Sequence, residues 1–371
     1  MEISFDRSQM LKAVNMAKTF AESSSAMKVL QNTLLSAACG RVRLATSDLS
    51  VFCQVELDAR TPQPGTAAVP VRTLGTVLKT LPQSRVSLRK DGDDVCVAAG
   101  SSEIRLAGCD VEDYPDIEPP QERLAAIPLP AALVNKVAYA VSNDETRYTL
   151  NGVNIEVGAG GLKLVATDGH RLARYIAPSR PPGSVLDAGE PVTGTVPVRL
   201  LREGVRLGGG TATLELHEKA ACMKVNGSVL LWAGLIEGRY PAYEESIPSE
   251  YSGSVTIGKN VLGGAVSRLV ALTKGARVAR VCLTVEEGDL VLKAEDAGSG
   301  VSAVERLSPS NIEGIVPVCG FNVRYLAEAL ERLPDAAGAE LKFSDDRGES
   351  PVAIESRECP GLFALVMPVQ L

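Results

Sequence analysis

Histidine is nearly missing from this chain: two residues in 371, His170 and His217, so a histidine-rich zinc site is excluded. Aromatic residues make up only 4%, with one tryptophan, so the cores have to be built from valine, leucine, isoleucine and alanine. That bias suits sheets with short helices packed on them. The eight cysteines, at 39, 53, 96, 109, 222, 282, 319 and 359, form no CxxC pair. Several sit in apolar runs such as DVCVAA and RVCLTV, which predicts buried free thiols in a reducing cytoplasm. No apolar run approaches the roughly 18 residues of a membrane span, and MEISFDRSQM is charged too early for a signal peptide. GxSxG, HExxH and GKS/GKT are absent, and LGGGT at 207–211 reads as a helix-to-strand turn, not a phosphate loop. An excess of positive charge is missing too. The net charge of −7 argues against simple electrostatic adhesion to nucleic acid or membrane unless the charge is unevenly placed.

What is present is repetition. A chain of 371 residues exceeds the size at which one core stops growing, so two or three domains are expected. Three segments match: VRLATSDLSVFCQVEL, LKLVATDGHRLARYIA and LVLKAEDAGSGVSAVERL, aligned on Ala45, Ala166 and Ala294. A second marker recurs as AVPVRTL, TVPVRLL and IVPVCGF around Pro70, Pro197 and Pro317, and a third as DYPDIEPP and RYPAYEESIP near Pro115 and Pro241. Three domains follow, 1–120, 121–249 and 250–371, with proline-rich seams. Within each, an amphipathic helix and alternating strands are followed by a VPV-led helix and more strands, an α+β pattern doubled inside the repeat. Leu74, Val77, Leu78 and Leu81 give the second helix one buried face, with Arg72, Thr76 and Lys79 opposite and Pro82 as its stop.

Positive charge is gathered on the helices. The segments 8–20, 71–82, 130–142, 198–207, 259–280 and 321–333 together carry +12, leaving −19 for the rest. Arg199, Arg202 and Arg206 share one face of the fourth segment, away from Leu200 and Val205. Equivalent basic helices in an acidic protein make a track for a polyanion backbone, one that attracts phosphates without reading bases. The absence of interleaved aromatics disfavours a single-strand platform.

The threefold repeat, VATDGHRLA, GRYPAY and the terminal VMPVQL together resemble the bacterial DNA polymerase III beta subunit family, the sliding clamps, over the whole chain. The resemblance implies three similar domains per chain, each with paired helices on antiparallel sheets. It further implies a head-to-tail homodimer closed into a six-domain ring with helices lining the hole. It implies no catalysis and no cofactor. Double-stranded DNA is encircled without sequence specificity, and the DNA polymerase III alpha subunit, the clamp loader, other polymerases and repair proteins are held through short linear motifs. The DNA-facing candidates are Lys12, Lys18, Arg72, Lys79, Lys136, Arg199, Arg202, Arg206, Arg268 and Lys274. For the ring seam, SEIRLAG and RLVALTKGAR supply Ile104, Leu106 and Leu272.

The stretch VATDGHRLARY has three readings. As a catalytic cluster, Asp168 and His170 would share a strand face, but no nucleophile or oxyanion site accompanies them. As a hairpin turn, Asp168-Gly169 supplies a positive φ. As the wall of a binding pocket, the family resemblance assigns Leu150, Thr167, Gly169, His170, Arg171, Leu172, Pro241, Leu365, Val366, Met367, Pro368 and Val369. There the apolar residues form the floor, and His170 and Arg171 are donors at the rim. Glu244, Glu245 and Ser246 stand where the family often has a basic and an aliphatic residue, and Gln370 where arginine is common. Peptides with acidic flanks should therefore be disfavoured near Glu245. A three-domain peptide-binding adaptor that never encloses DNA is the competing function, which basic helix faces speak against.

Overall fold

The computed structural model describes residues 1–22, 27–115, 118–273, 279–296 and 301–370. Among them the same order of nine strands and two helices runs three times. The first repeat is β1 (Glu2–Asp6), α1 (Arg7–Ala17), β2 (Asn32–Ala38), β3 (Arg41–Ser47), β4 (Phe52–Asp58), β5 (Arg60–Gln63), β6 (Gly65–Pro70), α2 (Val71–Thr80), β7 (Arg85–Asp91), β8 (Asp94–Ala99) and β9 (Ser102–Leu106). The second is β10 (Arg123–Pro130), α3 (Ala131–Val137), β11 (Gly152–Gly158), β12 (Gly161–Thr167), β13 (Arg171–Ala177), β14 (Val185–Leu186), β15 (Val192–Pro197), α4 (Val198–Leu207), β16 (Thr211–His217), β17 (Ala220–Val225) and β18 (Val229–Gly234). The third is β19 (Gly253–Gly258), α5 (Lys259–Leu272), β20 (Arg280–Glu286), β21 (Asp289–Asp296), β22 (Val301–Leu307), β23 (Asn311–Gly314), β24 (Cys319–Asn322), α6 (Val323–Leu330), β25 (Gly338–Phe343), β26 (Val352–Glu355) and β27 (Leu362–Val366).

Local chemistry explains the helix starts. Asp6 caps α1 by accepting from the N–H groups of Ser8 and Gln9 at 2.9 and 3.0 Å. Pro70 and Pro197 end a strand directly before α2 and α4, where a missing N–H and a fixed φ cost nothing. In the third repeat Asn322 does this work, accepting from Arg324 N–H at 3.1 Å. Pro317 lies in the loop before β24, so it is not the equivalent of Pro70 and Pro197, whose place before the helix is taken by Asn322. The first marker is also offset by one: Ser47 pairs with Phe52 as Thr167 pairs with Leu172, so Thr167 corresponds to Ser47. In α2, Leu74 and Leu78 are fully buried while Arg72, Thr76 and Lys79 are exposed, and the helix ends at Thr80 before Pro82. Each such leucine contributes about 1.5–3 kcal/mol by burial. A Cβ on Gly75 would stand 3.1 Å from Val14 Cγ1, so glycine lets α1 and α2 approach closely.

The strands form antiparallel sheets ordered β5-β1-β7-β8-β9, β14-β10-β16-β17-β18-β4-β3-β2-β6, β15-β11-β12-β13-β27-β26-β25-β19-β23 and β22-β21-β20-β24. Each nine-stranded sheet joins a five-strand half from one repeat to a four-strand half from another, through β18 with β4 and β27 with β13. Compactness follows these sheets. The chain divides into one unit of 1–131, 181–192 and 199–235 and another of 132–180, 193–198 and 236–371, and the middle repeat is shared between them. In the second unit a core of leucine, valine and alanine from β19–β22 and β24–β27 lies under α5 and α6.

Candidate functional site

Asp168, Gly169 and His170 form the turn between β12 and β13, not a strand, so the expected shared strand face of Asp168 and His170 does not exist. The Asp168 carboxylate is spent on the turn. It accepts from His170 N–H at 2.9 Å, Arg171 N–H at 3.0 Å and Arg171 Nε at 3.0 Å. Thr167 Oγ1 donates to the Arg171 carbonyl at 2.7 Å and accepts from Gly169 N–H at 3.1 Å. Gly169 has φ +85°, the left-handed conformation that glycine adopts without penalty. The hairpin reading therefore accounts for Thr167, Asp168 and Gly169, and the Asp168 carboxylate is not free to act as a general base.

Strand alternation divides the remaining candidates between two faces. β13 and β27 pair Leu172 with Leu365 and Arg171 with Val366. Leu172 and Leu365 point into an apolar cluster with Val165, Ala353, Phe363 and Tyr243, bordered by Tyr240, Ile247 and Tyr251. Val366 points the other way, into the core beneath α6, so it is not part of the same floor. Arg171 follows Val366. Its guanidinium, only 11% exposed, pairs with Asp168 and with Glu328 of α6 and lies 4.4 Å over the Tyr325 ring and 5.5 Å over Tyr139. Arg171 is thus a tie between the turn and α6, not a rim donor as its sequence position suggests.

His170 remains exposed, and its carbonyl accepts from Met367 N–H at 2.9 Å, extending the β13–β27 ladder into the C-terminal segment. Met367, Pro368 and Val369 are half-buried, and Val369 N–H donates to Gly320 O at 2.9 Å, which ties this segment beside β24. Leu150 is buried at the end of a short helical turn, Glu145–Leu150, and Pro241 is exposed. Exposed Glu244, Glu245 and Ser246 occupy a helical turn that lets the next residue, Ile247, pack on the cluster. Sequence reasoning missed Ile247, Tyr240, Tyr243 and Phe363; the position of Phe363 two residues before Leu365, on the same strand face, was the available signal for it.

The basic candidates differ in exposure and in the partners that hold them. Lys12, Arg72, Lys79, Arg199, Arg202 and Arg206 are exposed on α1, α2 and α4, with Leu200 and Val205 buried on the opposite side of α4. Arg72 donates to the Ala21 carbonyl at 3.3 Å and Lys18 to Asn15 Oδ1 at 2.8 Å. Arg206 pairs with Glu203 at 2.5 Å and Arg199 with Asp48 at 2.5 Å. Arg268 is exposed as well and is held by both Glu305 oxygens at 2.7 Å, a carboxylate pairing like those of Arg199 and Arg206. Lys136 donates to Cys359 Sγ at 2.9 Å and lies 4.7 Å over the Tyr175 ring, which removes it from the set of open cations. Helix α5 ends at Leu272, short of the expected 280, and so carries only Lys259 and Arg268 of the five cations counted there. Lys274 lies outside the described residues.

At the expected seam, SEIRLAG is β9, the last strand of its sheet, with Ile104 half-buried; Leu106 is buried in its own unit and offers little contact. RLVALTKGAR contributes a helix end where Leu272 is 46% exposed. The third repeat also ends the four-stranded sheet on β22, whose Val304 is 56% exposed.

Among the described residues no cluster of three metal-ligating side chains occurs, and no helix is long and apolar enough to cross a membrane. Three family models match the chain in order: the N-terminal domain of the DNA polymerase III beta subunit over residues 1–118, its central domain over 129–242 and its C-terminal domain over 244–370. The chain is 31% identical to the beta sliding clamp of Synechococcus elongatus over 92% of both chains, and 31% identical to that of Caulobacter vibrioides over the full length of both. The crystal structure of the Caulobacter crescentus beta sliding clamp superposes with a TM-score of 0.89 at 29% identity, covering all of both chains. With three clamp domains in order and full-length relatives, this chain belongs to the DNA polymerase III beta subunit family, the bacterial sliding clamps.

Proposed function

We propose that two copies of this chain close head to tail into a ring that encircles duplex DNA and tethers polymerases to it. The observation that carries this reading is the strand count. Each nine-stranded sheet is a five-strand half joined to a four-strand half, and the two remaining sheets are a five ending on β9 and a four ending on β22. Pairing β9 of one copy with β22 of the next completes a third sheet of the same construction and leaves no such edge unpaired. Exposed cations on α1, α2 and α4 then supply weak, salt-sensitive phosphate contacts, which suffice when the grip is topological. Rebinding of a tethered client outpaces its escape because its effective concentration stays high.

The chain is a non-catalytic processivity subunit working in the cytoplasm. Its clients, the DNA polymerase III alpha subunit, the clamp loader, other polymerases and repair proteins, dock by short apolar motifs beside His170, Pro241 and Met367–Val369, over the cluster of Leu172, Leu365, Tyr243 and Ile247. Domain boundaries near residues 120 and 249 complete the assignment. Solution mass together with retention on circular and linear DNA tests it. A dimer that stays on circles and runs off linear ends is expected; a monomer, or equal retention on both, overturns the ring.

A further inference from the structure

Lys136 of α3 and Cys359, in the turn between β26 and β27, stand 223 residues apart in the chain, yet Nζ lies 2.9 Å from Sγ. Both partners are fixed. The ammonium rests 4.7 Å from the Tyr175 ring centroid, and the cysteine's backbone is held by Cys359 N–H donating to Ser356 O at 3.2 Å and by Leu362 N–H donating to Cys359 O at 3.1 Å. Cys359 is half-buried and borders the core. In Cys53, Cys222 and Cys319 burial pushes each thiol up to about 12, away from the reactive thiolate.

We propose that this pair is an oxidative modification site, at which hydrogen peroxide converts Lys136 and Cys359 into a reversible covalent sulfenamide. The thiolate sulfur attacks a peroxide oxygen; an S–O bond forms, the O–O bond breaks, and the departing hydroxide takes a proton from the Lys136 ammonium as water. The neutral amine is then in place to attack the sulfenic sulfur. An S–N bond forms, the S–O bond breaks, and the leaving hydroxide carries away the nitrogen's proton as a second water. Sulfur gives up two electrons and the peroxide takes them. A reducing thiol attacks the sulfur and releases the amine, and a second thiol cleaves the mixed disulfide so formed, which restores Cys359 and takes up the two electrons' worth of oxidation as a disulfide of the reductant. The product deletes one positive charge and staples α3 to the turn that feeds β27, the strand running into Met367 and Pro368.

Peptide mass mapping of the full chain after treatment with a slight excess of peroxide tests this. The expected result is a Lys136 peptide joined to the Cys359 peptide, lighter than their sum by two hydrogens, lost on reduction with dithiothreitol and absent in Cys359→Ser. Lys136→Arg keeps a cation but removes the nucleophile, so several-fold more sulfenic acid should be trapped at Cys359 by dimedone than in the unsubstituted chain. Equal trapping in both chains without a joined peptide, or a Cys359 that stays reduced at doses oxidising the exposed Cys39, overturns the proposal.

Discussion

Two turns of the same construction meet different fates at a single residue. In the first repeat Asp48 accepts from Ser50 and Val51 N–H at 3.1 and 3.0 Å, as Asp168 does from His170 and Arg171, but the residue after it is Leu49 at φ +70° where the second repeat has Gly169 at +85°. A left-handed leucine costs about 1–2 kcal/mol, and Leu49 is 52% exposed, so little burial offsets that strain. Leu49→Gly should therefore stabilise its unit by up to about 1 kcal/mol, once the added freedom of the unfolded chain is subtracted. Gly169→Ala should cost about 1–2 kcal/mol, because its Cβ would also press on Arg147 Nη1 at 3.0 Å. Opposite shifts of the urea midpoint would establish both, and shifts of the same sign would refute the comparison. Asp48 carries a pH signature as well. Partial burial raises its carboxyl, but hydrogen bonds from Ser50, Arg199 and Val51 N–H prevail and hold it below the usual carboxylate range. A lowered folded-state value means the stabilisation is present above the ordinary aspartate range and fades as pH falls below about 4. The stability gap between Asp48→Asn and the unsubstituted chain should accordingly be open at neutral pH and closed in acid, as read by denaturation at a series of pH values.

Among the elements, helices and their buried faces were legible in the sequence because apolar spacing declares them: Leu74 and Leu78 in α2, Leu200 and Val205 in α4. The threefold order was legible from its markers, although the registers set by Ala45 with Ala166 and by Pro317 were not. Asn322 starts α6 without proline, and one residue of slip is invisible until strands pair. What a cation touches was not legible at all. Arg171, Lys136 and Arg268 look alike in sequence, yet each is held by a partner more than thirty residues away, Glu328, Cys359 and Glu305, that only folding brings near. The electrostatic role of a helix is therefore set by its neighbours. In α5 the Arg268–Glu305 pair is surface-exposed and adds little stability. Glu305→Gln should leave folding nearly unchanged and release one cation. If α5 faces duplex DNA, the logarithmic salt dependence of DNA binding should steepen by about 0.9. Arg202→Gln on α4 should flatten it by a similar amount; unchanged slopes in both variants would place these helices away from the duplex.

For the whole molecule the deciding feature is a pair among the strands at sheet ends, β9 of the five-stranded sheet and β22 of the four-stranded sheet. β9 and β22 are short, and both alternate between exposed and covered residues, as a half-buried strand awaiting a neighbour does. The sequence offers β9 and a helix end within RLVALTKGAR for the seam and leaves β22 unmarked, because a periodic pattern shows that a strand exists and not which strand lies outermost. Val304 distinguishes the two, since at 56% exposure it is a large apolar side chain on β22 with little structural duty in its own sheet. Val304→Lys should fold normally, as surface changes usually cost within about 0.5 kcal/mol. Placed in a closed seam, however, the ammonium is desolvated without a partner at a cost of several kcal/mol. At about 1.4 kcal/mol per decade, the dimer dissociation constant should rise by two decades or more. Sedimentation would then show monomer at concentrations where the unsubstituted chain is dimeric, and retention on circular DNA should vanish while peptide binding beside His170 survives. Loss of retention with dimerisation intact would place β22 outside the seam, and no change in either measurement would mean that β9 and β22 do not meet.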